Sequence, residues 1–191
     1  MYHIAADRRS QRSAQTIADT LSQVIDEGGF ETLRISELAN RAGLGRATFY
    51  RNFDAVEDVL RWQCDVSLQR LGEYVRAHLR MRPSDEPYPL LRPFLRFFAI
   101  NSRIVELLIA TGRTDILQEA FAREIGKLEA AFPPLTGVSA DYLEYRPVVR
   151  SAMVVSVLVH WIGNGKRHPP DELADGLSQI TRQMIDANAL I

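Results

Sequence analysis

Leu60, Cys64, Leu68, Leu71, Val75 and Leu79 follow one another at spacings of 4, 4, 3, 4 and 4. An α-helix turns once every 3.6 residues, so residues spaced this way line up on one face. The stripe predicts a single amphipathic helix of roughly 25 residues, about 38 Å long. So long an apolar face must be covered, and the rest of the chain has to supply the cover. Asp54 and Glu57 make a capping-box pattern that opens this helix at about residue 55.

The flanking segments keep the same period. Ile17, Leu21, Val24 and Ile25 form a stripe that ends at Gly28-Gly29, a natural helix stop. "ISELANRAG" reads as a short helix closed by Gly43, and "GRATFYRNF" as a third. "MRPSDEPYP" breaks the pattern and reads as a loop. The apolar helical region "LLRPFLRFFAINSRIVELLIATG" follows, divided or started by Pro93. "TDILQEAFAREIGKLEAAF" carries a stripe through Leu117, Phe121, Leu128 and Phe132, and "PPLTG" ends it. The β-branched run in "VVRSAMVVSVLVHWIGNG" has no partner strand elsewhere and is too long for one strand, so it reads as a buried helix. Pro170 suits the first turn of a last helix that places Leu173, Leu177, Ile180 and Met184 on one face. The expected fold is all-α, about nine helices. Residues 1–54 are expected to form a three-helix unit and residues 55–191 a larger helical bundle.

Composition narrows the function classes. The chain of 191 residues is 46% hydrophobic, with 23 Lys+Arg against 24 Asp+Glu, so no global charge draws it to nucleic acid or membrane. One cysteine, Cys64, allows no intrachain disulfide and suits a reducing interior; its place on the long stripe marks it as a buried, inert thiol. The N-terminus lacks the apolar core of a signal peptide, and no apolar run reaches membrane-spanning length. The protein is therefore expected to be cytoplasmic, with no membrane partner. His3, His78, His160 and His168 have no metal-ligand spacing, "GNGKR" lacks the first glycine and the Ser/Thr of a phosphate loop, and there is no nucleophile elbow. Neither catalysis nor a metal or cofactor is expected.

The stretch "RAGLGRATFYRNF" is what remains to explain. Two short helices joined by a glycine turn make a helix-turn-helix, whose second helix enters the DNA major groove. Leu38, Ala39, Ala42 and Leu44 would hold the two helices together. Phe49 and Phe53, four apart, would anchor the second one. Arg46, Ala47, Tyr50 and Arg51 then face outward, with Thr48 and Asn52 at the flanks. Arginine can pair with guanine O6 and N7 or clamp a phosphate, and hydroxyls can fix the register on phosphates. Residues 1 to 55 net zero charge, but between Leu38 and Phe53 stand three arginines and no acid. Arg8, Arg9 and Arg12 offer a second basic cluster.

The residues from about Arg9 to Leu60 resemble the DNA-binding domain of the TetR family of transcriptional regulators. Leu38-Ala39, Ala42-Gly43-Leu44, Thr48-Phe49-Tyr50, Phe53 and Leu60 carry the resemblance, and the run from Trp161 to Gly165 followed by "PPDELA" resembles the ends of many members. The resemblance implies an all-α homodimer that reads a palindromic operator in double-stranded DNA and responds to a small effector. It assigns base reading to Arg46, Ala47 and Arg51, phosphate contact to Thr48, Tyr50 and Asn52, and a contact to Ser36. Gly45 takes the position where the family usually has a capping Ser, Arg34 the usual Thr cap, and Val56 a common phosphate-binding lysine.

In the C-terminal part, Trp62, Phe94, Phe98, Met153 and His160 are the candidate lining of a largely apolar effector pocket, with Arg150 beside His160 at a polar end. The last two helices, with Val154, Leu158, Trp161, Leu177, Ile180 and Met184, are the expected dimer bundle. The reading is of a ligand-responsive repressor. A protein of this fold that lacks autonomous DNA binding and acts through a protein partner is the alternative, favoured by Arg34, Gly45 and Val56.

Overall fold

The computed structural model describes residues 1–81, 90–127 and 139–186. Among them the fold is all-helical: α1 (Arg8–Asp26), α2 (Ile35–Arg41), α3 (Arg46–Asn52), α4 (Val56–Met81), α5 (Leu91–Ile100), α6 (Arg103–Ala110), α7 (Thr114–Lys127), α8 (Tyr145–Gly163) and α9 (Pro170–Asp186). The proposed loop at 82–89, and Leu128, Phe132 and the "PPLTG" stop, lie outside the described residues.

The long helix forms as the stripe requires. Leu60 and Cys64 are fully buried and Leu68 and Leu71 nearly so. α1, α5, α6 and α7 all pack against α4, which makes it the shared wall of the molecule. Its N-terminus differs in detail from the capping-box pattern. The Asp58 carboxylate, not Glu57, accepts the backbone N–H of Ala55 at 2.9 Å, while Asp54 meets His3 at 3.0 Å. Asp58 sits three residues past Ala55, the right offset for reaching back to a cap amide.

One more boundary was not visible as periodicity. The region from Leu90 to Gly112 divides at Asn101-Ser102, where the Ser102 hydroxyl bonds Glu106 at 2.6 Å and receives Lys166 Nζ at 2.8 Å. Pro93 falls in the first turn of α5 and is buried. The β-branched run is helical within α8, which lies along α7 and also touches α6. α8 ends in a turn where Gly165 (φ 73°) and Lys166 (φ 54°) are both left-handed, and the indole N–H of Trp161 donates to the His168 carbonyl at 2.9 Å. α9 packs chiefly on α5, held by Arg96 to Asp171 at 2.7 Å and by an ion pair of Arg92 with Asp175.

Candidate nucleic-acid interface

α1, α2 and α3 enclose a small core of Ala14, Ile17, Ala18, Leu21, Leu38, Ala39, Phe49 and Phe53, all fully buried. Phe49 and Phe53 lie 5.8 Å apart between ring centroids, and burying each contributes about 1.5–3 kcal/mol. The turn from α2 to α3 depends on Gly43, at φ 65°, where a side chain would be strained. Neither short helix has a side-chain cap: Arg34 and Gly45 provide none, as their identities imply.

With Phe49 and Phe53 turned inward, α3 presents Arg46, Ala47, Tyr50 and Arg51 to solvent, with Thr48 half-buried. The Arg51 guanidinium reaches back to the Thr48 hydroxyl at 3.3 Å. Tyr50 packs edge-on against Phe49 at 5.8 Å, which holds the ring while leaving it 53% exposed. Gly45 is exposed at the start of the helix and Ser36 half-buried in the first turn of α2. The outward row is a flat, hydroxyl- and guanidinium-bearing surface of the kind that contacts phosphates and base edges.

The structure departs from the expected surface at two residues. Asn52 is fully buried. Its side-chain N–H donates to the Thr48 carbonyl at 2.8 Å and its oxygen accepts from Ser10 Oγ at 2.7 Å, so its polar atoms tie α3 to α1 and are not free for phosphate. Arg41 is the other. It pairs with Glu27 at 2.5 Å and Glu37 at 3.4 Å, and the hydrogen bond it donates to Glu27 raises its pKa. The acid-free run in sequence therefore meets acids brought from the end of α1. Among the described residues no carboxylate pairs with Arg46 or Arg51, and the positive field of α3 rests on these two.

Val56 is buried at the start of α4, in place of a cation. Asp7 caps α1 by accepting the N–H groups of Arg9 and Ser10 at 3.0 and 2.9 Å. An Asp directly before a helical run is a cap signal that the sequence itself carries.

Residues 17–61 match the family profile described as bacterial regulatory proteins, tetR family. Over that segment the chain is similar to the tetR family. The chain is also 26% identical over 176 residues to an uncharacterized HTH-type transcriptional regulator, YxbF, of Bacillus subtilis (strain 168). That match covers 88% of this chain and 44% of YxbF, so the chain spans less than half the length of that relative. Among solved structures, Lin0861 from Listeria innocua superposes with a TM-score of 0.77 at 20% identity, covering 95% of this chain and 96% of that one. A putative TetR-family transcriptional regulator from Syntrophomonas wolfei gives 0.55 at 16% identity, covering 95% and 97%. At these identities the likeness is one of fold, and it extends past residues 17–61 through the helical remainder.

The five candidate effector contacts do not come together. Trp62 packs against Phe53, with centroids 6.1 Å apart, at the junction of α3 and α4. Phe94 and Phe98 form a separate cluster with Phe121, at 5.8 and 6.3 Å. Met153 is 49% exposed and His160 is exposed, both on the outer side of α8. The helical period placed these residues on α4, α5 and α8 but could not say which faces the bundle covers. Two open cavities lie elsewhere. One, of about 410 Å³, is lined by Tyr2, Arg61, Asp65, Glu119 and Arg123. The other, of about 450 Å³, lies beside Phe30, Leu33 and Thr111.

The dimer candidates divide in the same way. Leu158 and Trp161 are buried within the chain and Val154 and Leu177 partly so, whereas Ile180 and Met184 remain exposed. The outer face of α8 adds Tyr145, Val148, Val149 and Met153 to the exposed apolar set.

Proposed function

We propose that this protein is a DNA-binding transcriptional regulator that recognises a palindromic operator as a homodimer and is released by a small-molecule effector, acting as a repressor. The observation that carries the reading is the outward row of Arg46, Ala47, Tyr50 and Arg51 on a helix fixed by Phe49, Phe53 and Asn52, inside a domain of the tetR family. Arg46 and Arg51 are the base-reading candidates, and Tyr50, Thr48 and Ser36 the phosphate contacts. Residues 1–54 are assigned to DNA and residues 55–191 to effector and dimer partner. The exposed apolar face of α8 and α9 supports a second copy as that partner.

The effector is assigned to the aromatic cluster of Phe94, Phe98 and Phe121 between α5 and α7, which has to open to admit a largely apolar molecule. Effector binding would favour a dimer whose recognition helices no longer match successive major grooves, about 34 Å apart. The co-regulator reading draws support from the uncapped helices and from buried Val56, which deprive the interface of a phosphate-binding cation and about one unit of salt slope.

Selection of bound fragments from a genomic DNA library tests the reading, with an Arg46→Ala/Tyr50→Ala double variant alongside. Both positions are exposed, so the variant keeps its fold. The regulator reading expects a palindrome enriched by the wild type alone. Enrichment of nothing at low salt would leave the co-regulator reading in its place.

A further inference from the structure

The segment ahead of α1 runs antiparallel to the end of α3, and several bonds hold it there. Tyr2 lies opposite Phe53 in an isolated β-bridge. The His3 N–H donates to the Asn52 carbonyl at 2.8 Å, and the Asp54 N–H donates to the Met1 carbonyl at 3.1 Å. His3 Nε2 meets Asp54 Oδ1 at 3.0 Å. The Ala5 N–H donates to Ser10 Oγ at 3.2 Å, and that hydroxyl in turn donates to buried Asn52. The segment thus grips Asn52, Phe53 and Asp54, where the recognition helix ends.

Its other attachment lies across α4. The Tyr2 phenol donates to Asp65 Oδ2 at 2.6 Å, and the second oxygen of the same carboxylate pairs with Arg123 on α7. Asp65 is therefore a node where the segment, α4 and α7 meet. The 410 Å³ cavity opens beside Tyr2, between α4 and α7, and the ring itself is half-buried against the core. The phenol–carboxylate bond holds the ring at this end, beside the Met1 ammonium, which pairs with Asp58 at 2.6 Å and Asp54 at 3.1 Å.

We propose that residues 2–7 are a strap that couples α7 to the recognition helix, with Tyr2 on Asp65 as its latch. A shift of α7 draws Arg123 and Asp65 away from Tyr2, frees the strap, and loosens the end of α3 at Asn52 and Asp54. The functional meaning of this coupling rests on α3 being the DNA-reading helix. The coupling itself does not.

Two backbone amides report the strap directly, those of His3 and Asp54. Their hydrogen exchange is to be followed by NMR in the DNA-free full chain for wild type, Tyr2→Phe and Arg123→Gln. Tyr2→Phe keeps the ring and deletes the latch, and both amides are expected to exchange roughly ten-fold faster. Arg123→Gln, made on α7, frees Asp65 to turn toward solvent and raises the same two rates by a smaller factor, with α8 unchanged. Wild-type rates at both amides in Tyr2→Phe, or an Arg123→Gln effect confined to α7, overturn the proposal. If fragment selection finds no operator while the amides respond, the DNA reading falls and the strap stands. An operator bound by a protein whose amides do not respond removes the strap alone.

Discussion

Asn52 sits among outward-facing neighbours on α3, yet both ends of its amide are engaged within the protein. A helical wheel placed it at the flank of the DNA-facing row, because a wheel knows only its own helix. Ser10 lies 42 residues earlier, and only the packing of α1 across the end of α3 brings them together. Asn52→Ala leaves the Ser10 hydroxyl without its acceptor in a buried place and is expected to cost about 1–3 kcal/mol. Urea unfolding measures this, and an unchanged midpoint would show the bond to be dispensable. Cys64, by contrast, was legible, since its place on the stripe fixed its burial. Desolvation pushes its thiol up to about 12. The sign follows from the unfolded thiol, which ionises near 9 while the folded one stays protonated. Stability from this group is complete below pH 9 and is lost as pH rises toward 12, by about 1.4 kcal/mol per unit. Denaturant midpoints at pH 8, 9 and 10 are expected to fall less steeply in Cys64→Ala than in wild type.

Elements were legible where their signals are local. The stripe of α4, the Gly43 turn and the Phe49–Phe53 anchor all lie within a few residues of what they determine. The break between α5 and α6 was hidden, because apolar residues continue on both sides. What marks it is Lys166, arriving from 64 residues away to donate to Ser102. The seat of α9 was equally hidden, since a sequence does not show which arginine meets which aspartate. The hydrogen bond from Arg96 holds the Asp171 carboxyl below its ordinary range. A depressed carboxyl stabilises the fold above its unfolded pKa, near 4, and that support is lost as pH falls through the folded value. Amide exchange in α9 is therefore expected to quicken on going from pH 7 to pH 3 more than in α6. In Asp171→Asn the excess over α6 should disappear, and α9 should already be looser at pH 7. Equal acid sensitivity in the variant would remove Asp171 from the account.

At the scale of the whole molecule, the unexplained feature is apolar surface. Val149, Met153 and Ile180 are each about half exposed or more, at 57, 49 and 54%. The sequence showed that α8 and α9 had apolar residues to spare, but could not separate those covered within one chain from those left for another. The structure makes that separation: Leu158 and Trp161 close the chain's own core, and the outer face of α8 does not. Under the proposed palindromic operator such an apolar face has a natural use, because a two-fold symmetric site needs a two-fold symmetric reader, and an isologous interface sets the spacing of its recognition helices. Met153→Glu with Ile180→Glu places charge on this face without touching the buried core, so the monomer's helix content is expected to stay the same. Sedimentation equilibrium should then show the wild type as a dimer and the variant as a monomer. The monomer should still bind a single half-site weakly but lose the affinity gained by engaging both halves together, typically a hundred-fold or more. A variant that remains dimeric would place the interface elsewhere. A variant that becomes monomeric yet holds the full palindrome as tightly as the wild type would show that dimerisation on this face does not set operator binding.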